Sequence, residues 1–481
     1  MNSVDDNAPF GRDLGPMITD AYAPVAAESV FDNMPVIGEI PADLNGVYLR
    51  NGPNQRFTPN GRYHWFDGDA MLHGAHFDRG RVTYRNRWIE SAGFVANDQA
   101  GRELYQGVIE THKDRTDKPM RDTPNTDVIG HAGTAVTSWY LCGTPYRVDP
   151  ITLQTLGPAD YARASHGAFS SHPKVDERTG EMMFFDYWNE APYMSYGVVD
   201  KNGALAHQVP IPLPGPRLPH DLAITANYSI LHDLPLFYDM DALAAGRHKI
   251  AFYPDMPARF GVIPRYGLPN EIRWFEASPC FVYHVVNAYE DGDEIVMIAC
   301  RYMPPKDTSG RIDAQRMAKM IALLHMDARL WRWRFNLKTG MTTEAPIDAE
   351  LNLEFPTVNN GFMGQPSQYA YLALQTLEQP QFLGLAKVNT GSGVRQLWRG
   401  APTDYFSEAP FAPADHATSE DHGYLLSFVW RAAEQRTELQ IFDARELARG
   451  PVTRIHVPAR VPAGFHATWM RPGHIASYAA R

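Results

Sequence analysis

The feature that most limits how this chain folds is a recurrence. From about residue 45 to the end, short β-branched and aromatic runs alternate with tight turns. NGVYLR, RVTYRNRWI, EMMFFDY, YSILHDL, EIVMIAC, YLLSFVW and TELQIFD each have the length and content of a strand, and turn residues bound them. In RLWRWRFNLKTG, Trp331, Trp333 and Phe335 alternate with Arg332 and Arg334, the period-2 signature of a strand with one buried face. Three of the turns resemble one another: DERTGE at 176–181, NLKTGM at 336–341 and VNTGSG at 388–393. Weak internal repetition without a WD or kelch signature predicts an all-β propeller or barrel. Helical patterning is confined to 239–246 and to 312–329, where Met317, Met320, Ile321 and Leu324 share a face.

Composition narrows the function classes. A net charge of −11 with no basic block argues against a nucleic-acid partner. The three cysteines, Cys142, Cys280 and Cys300, are far apart and form no CxxC. That excludes a disulfide framework and a thiolate metal site, and it fits a reducing compartment. The acidic MNSVDDNAPFGRD start has no apolar core, and no run of 18 apolar residues occurs, so the expected location is the cytoplasm. Glycine and proline are spread evenly, and no linker stands out.

His284 poses the chemical question. It sits inside CFVYHVVNAYEDGDE, a run that reads as a buried strand closed by a hairpin turn. A buried imidazole needs a partner for its ring nitrogens, and a backbone carbonyl, a water or a metal ion would each serve. Three more of the 18 histidines share its context. His172 in SSHPKVDERTGEM, His220 in LPHDLAITANYSIL and His466 in VPAGFHATW all lie in strand-like sequence close to a chain reversal. The innermost strands of a propeller meet on its axis, where four converging imidazoles would form a metal site. The sequence contains no HExxH, no GxGxxG opening a helix, no P-loop and no GxSxG elbow.

The segments NGVYLRNGPN, YHWFDGDAMLHG, SSHPKVDERTGEM, PHDLAITANYSI, FVYHVVNAYEDGD, EDHGYLLSFVW and GFHATW together resemble the carotenoid cleavage oxygenase family, over roughly residues 35–475. That family also includes lignostilbene- and isoeugenol-cleaving enzymes. The resemblance implies a seven-bladed β-propeller under a dome of loops and short helices, as one domain over 35–481 after an N-terminal extension at 1–34. It implies one Fe(II) per chain held by His172, His220, His284 and His466, with O2 as co-substrate and no organic cofactor. His131, His166, His232 and His422 are expected to be ordinary surface or core histidines. The family carries three glutamates that orient its ligands. Two have matches here, Glu354 and Glu408, expected to orient His284 and His466. At the third position, in SWYLCGTPYRVDP, stands Leu141, which leaves His220 without its expected carboxylate.

The implied reaction is oxidative cleavage of a C=C bond into two carbonyl products, with the apolar alkene reaching the axis through a tunnel. Stilbene-cleaving relatives grip a phenol with a lysine and a tyrosine. The lysine position is Tyr140 here, and the tyrosine has no match, although Tyr105 lies near. Phe66, Tyr105 and Tyr140 are therefore the candidate substrate contacts. A carotenoid or apocarotenoid is the favoured substrate, with a stilbene or phenylpropanoid as the alternative. Such a substrate partitions into membranes. The segment 231–246 offers Leu234, Leu236, Phe237, Tyr238 and Leu243 as a patch for peripheral membrane contact, or as residues packed beneath the dome. An isomerase or hydrolase on the same scaffold, or a binding protein, would differ from an oxygenase in consuming no O2.

Overall fold

The computed structural model describes residues 14–110, 121–161 and 169–478. Residues 1–13 of the expected extension, and His166, lie outside that range. The chain forms a seven-bladed β-propeller in which consecutive antiparallel strands make each blade. Five blades take their strands from one stretch each, opening with Asp127–His131, Lys174–Asp176, Ala223–Ile224, Phe281–Asp291 and Leu353–Thr357. The other two close the ring twice over. Near the C-terminus, Ala467–Met470 pairs with Gly46–Pro53 in the first blade. Near the N-terminus, Val36–Gly38 pairs with Pro451–Val457 in the last. Just before the expected boundary at 34/35, Ser29–Phe31 pairs with Arg81–Trp88 at the outer edge of the first blade.

The three similar turns share one geometry. Asp176, Asn336 and Asn389 each accept backbone N–H bonds from residues two or three further on, and Gly180, Gly340 and Gly393 take φ of 75°, 76° and 74°. Left-handed backbone at that position is what glycine supplies without strain. The strand Ala328–Asn336 buries Trp333 and Phe335 completely, as its period requires. Trp331 is only half-buried, because the register slips between Leu330 and Trp331, and it lies under the Arg301 guanidinium at 4.7 Å. The second helical segment is shorter than its pattern. It runs Ala314–Ala322, and the following residues are drawn into Ala328–Asn336. The first covers Met240–Ala244, and a third helix, Ala92–Ala100, is capped by Ser91 and ended by Gly101 at φ 63°. Ala314–Ala322 packs on Ile250–Phe252, which pairs with Leu236–Tyr238 as a small extra sheet over one face. Among the described residues, no helix is long and apolar enough to cross a membrane.

Candidate metal centre

Each blade presents one polar side chain to the axis from, or directly beside, its innermost strand. His172 precedes Lys174–Asp176, His220 precedes Ala223–Ile224, and His466 precedes Ala467–Met470. His284 lies within Phe281–Asp291, where two register shifts flank Val285 and interrupt the regular alternation. Glu354 lies in Leu353–Thr357, Glu408 between Asp404–Phe406 and Phe411–Pro413, and Asp127 opens Asp127–His131. Four imidazoles and three carboxylates thus come from seven blades. All seven are buried.

Nitrogens of His172, His220 and His284 lie within 4.8 Å of one another. The Nε2 atoms of His172 and His220 are 3.1 Å apart. The His466 ring centroid is 4.4 Å from that of His172 and 4.6 Å from that of His284. Buried Nε2 of His284 meets no hydrogen-bond partner among the described residues. Burial holds the pKa values of His220 and His284 well below the ordinary imidazole range, and the other imidazoles act in the same direction. His172 is lowered first by burial too, while at His466 burial is opposed by the Glu408 carboxylate and then by Asp127, and the net shift is upward. Closely spaced neutral imidazoles with an unpaired buried nitrogen fit a divalent transition-metal cation. Nitrogen donors alone suit iron, zinc, copper and nickel alike.

The partners of these rings differ. In its Nδ1–H form His284 donates to Glu354 Oε2 at 2.5 Å, and His466 donates to Glu408 Oε1 at 3.1 Å. Burial raises the Glu354 carboxyl well above the carboxylate range, and a cation on the axis would favour its ionised form. His172 has a carboxylate that sequence reasoning missed: Asp127 Oδ2 lies 3.4 Å from its Nδ1 and accepts its backbone N–H at 3.0 Å. His172 itself sits at φ 66°, a left-handed conformation costly for a side-chain-bearing residue. Among the described residues, no carboxylate is hydrogen-bonded to the His220 ring. Its buried Nδ1 meets no hydrogen-bond partner among the described residues, and Leu141 is half-buried in a nearby cavity wall. Aromatic rings hold it instead, Tyr140 at 4.7 Å and the edge-on Tyr283 at 4.4 Å.

Asp221 was also missed. Its Oδ1 pairs with Lys174 Nζ at 2.7 Å, and its Oδ2 accepts the Val285 N–H at 2.7 Å. One carboxylate therefore ties together the segments that carry His172, His220 and His284. The signal was its place directly after His220.

Two cavities approach the cluster from different sides. An apolar tunnel of about 620 Å³ runs under Ala314–Ala322, lined by Phe66, Tyr140, Leu141, Tyr238, Phe252 and Tyr283 among others. Phe66 and Tyr283 also wall a chamber of about 20 Å³ that touches His220, His284 and His466. A second cavity of about 340 Å³, with charged groups set among apolar side chains, reaches His172, His284 and His466, and Asp127, Lys174 and Asp221 lie in its wall. Of the expected substrate contacts, Phe66 and Tyr140 line the tunnel, their rings 4.7 Å apart. Tyr105 does not. It lines a small separate pocket, on a loop that Glu103 anchors through its contact with buried Arg121. The expected exposed patch is also corrected. Leu234 and Leu236 are buried in the core, Leu243 is half-buried, Phe237 stacks on Tyr253 at 3.9 Å, and Tyr238 faces the tunnel. Apolar side chains in that segment cover the dome's own interior. His131 and His232 are buried, and His422 is half-buried.

A family model described as RPE65, retinal pigment epithelial membrane protein, matches residues 22–471. Carotenoid 9,10(9',10')-cleavage dioxygenase 1 of Phaseolus vulgaris is 33% identical over 488 residues, covering 94% of this chain and 88% of its own. Isoeugenol monooxygenase of Pseudomonas nitroreducens is 30% identical over 477 residues, covering 95% and 98%. Among solved structures, lignostilbene dioxygenase of Pseudomonas brassicacearum superposes with a TM-score of 0.83 at 26% identity, covering 95% of this chain and 98% of its own.

Proposed function

This chain belongs to the carotenoid cleavage oxygenase family and is an alkene-cleaving oxygenase; from that premise we propose that it cleaves a C=C bond of a carotenoid or apocarotenoid with Fe(II) held by His172, His220, His284 and His466. The observation that carries the substrate choice is the apolar tunnel of about 620 Å³, which ends on Phe66 and Tyr283 at the chamber beside the histidines. Its walls are mainly hydrocarbon and aromatic, as a ligand without regular polar groups requires. Held by these four histidines, Fe(II) would supply the activation of O2. One O2 and one C=C bond give two carbonyl products, a balance that needs no external reductant.

The side chains do the rest. The histidines present neutral nitrogens, and Glu354, Glu408 and Asp127 fix three of the rings. Phe66, Tyr140 and Tyr283 hold the polyene flat against the chamber mouth and keep bulk water from it. No side chain is assigned as a general acid or base. A stilbene or phenylpropanoid is the second reading, favoured by the phenol of Tyr140 in the tunnel wall. Anaerobic reconstitution with Fe(II), then aerobic incubation with an apocarotenal and a hydroxystilbene in parallel, separates the two by mass spectrometry. Aldehyde or ketone fragments from the polyene alone support the proposal. Fragments from the stilbene alone replace it with the second reading.

A further inference from the structure

The second cavity, where carboxylates stand among apolar side chains, reaches three of the four histidines. Its lining runs from buried His172, His284 and His466 out to exposed Ala132, Lys201 and His474, so it opens at the surface. Four carboxylates line it, Asp127, Glu177, Asp221 and Glu408, against two lysines, Lys174 and Lys201. Lys174 and Asp221 pair at 2.7 Å and Glu177 pairs with Arg471, which leaves Asp127, beside His172, and Glu408, beside His466, facing the cluster. The tunnel is more apolar, and behind Phe66 and Tyr283 the chamber of about 20 Å³ leads on to the histidines.

A hydrated divalent cation cannot use the two routes equally. Moving an ion from water into wholly apolar surroundings is strongly unfavourable even after relaxation, whereas carboxylates spaced along a passage replace lost water ligands and attract positive charge. We infer that this carboxylate-bearing cavity is the route by which the metal ion enters and leaves the histidine cluster, separate from the route of the organic substrate. This rests on the four-histidine reading. Asp127 and Asp221 then have two roles, fixing the ligand-bearing segments and conducting the cation past Lys174 to them.

The test measures metal uptake rather than turnover. Apo-protein, prepared by chelation, is mixed anaerobically with Fe(II) in a stopped-flow instrument, and occupancy is followed by tryptophan fluorescence and by metal analysis after rapid desalting. Lys201→Glu and Ala132→Lys change charge in opposite senses at the exposed mouth, and Ala322→Trp narrows the exposed end of the apolar tunnel. At low salt, Lys201→Glu is expected to speed uptake about threefold and Ala132→Lys to slow it about threefold, with both effects lost at high ionic strength. Ala322→Trp is expected to leave uptake unchanged. Equal rates in both charge variants at full stoichiometry, or slowed uptake in Ala322→Trp, would overturn the route alone. Failure of the unmodified protein to bind one Fe(II) would overturn the metal reading and the route together.

Discussion

His284 and His220 occupy adjacent blades and face the same axis, but they are held by different physics. His284 donates to a fully buried carboxylate on the next blade. His220 is wedged between Tyr140 and Tyr283, with its outer nitrogen meeting no acceptor among the described residues. A hydrogen bond to a charged group is worth about 1.5–3 kcal/mol, while an aromatic contact adds about 0.5–1.5 kcal/mol. The carboxylate also makes its imidazole a better donor, which ring packing does not do. The cluster is therefore graded: His284 and His466 are firmly oriented, His172 is held by Asp127 at longer range, and His220 is held by shape.

The largest expected effect sharpens this contrast. His284→Ala should weaken Fe(II) binding by more than about a hundredfold, beyond what losing a partner of a ligand does. Equilibrium binding checks it, with circular dichroism to show that the fold is intact, and near-normal affinity would remove His284 from the site. Next come Glu354→Gln and Glu408→Gln, each expected to lower affinity by about 10–100-fold. If neither changes the affinity, the carboxylate-held class does not exist. Asp127→Asn should cost about tenfold, at the lower end of that range, because its carboxylate lies 3.4 Å from His172. A loss equal to that of Glu354→Gln would erase the grading. The smallest effects concern His220. Tyr140→Phe should leave affinity within about twofold and Tyr140→Ala should lower it several-fold, since the ring rather than the hydroxyl does the holding. A large loss in Tyr140→Phe would mean that the hydroxyl takes part.

The same contrast explains what was legible in the sequence. An all-β propeller or barrel was readable because turns such as DERTGE and NLKTGM, and the alternation around Trp333, are local, and the resemblance supplied the choice of seven blades. Glu354 and Glu408 emerged only through resemblance, since their partners lie 70 and 58 residues away in the chain. Asp127 was hidden for that reason too, standing 45 residues from His172 in a short strand that looks unremarkable by itself. Tyr105 was misplaced because closeness along the chain does not fix the side of the dome on which a loop lies. The expected membrane patch failed on a related ambiguity: an apolar run such as LHDLPLFY reads the same whether it faces a bilayer or a protein interior. Trp331 departed from its alternation because a single register slip is invisible to periodicity.

The measurement that tests the central claim most directly is iron K-edge X-ray absorption on the anaerobically reconstituted protein, alongside metal analysis. The account expects one iron per chain and the multiple-scattering pattern of four imidazoles, falling to three in His220→Ala. An iron surrounded chiefly by oxygen ligands, or a spectrum indifferent to loss of His220, would contradict it.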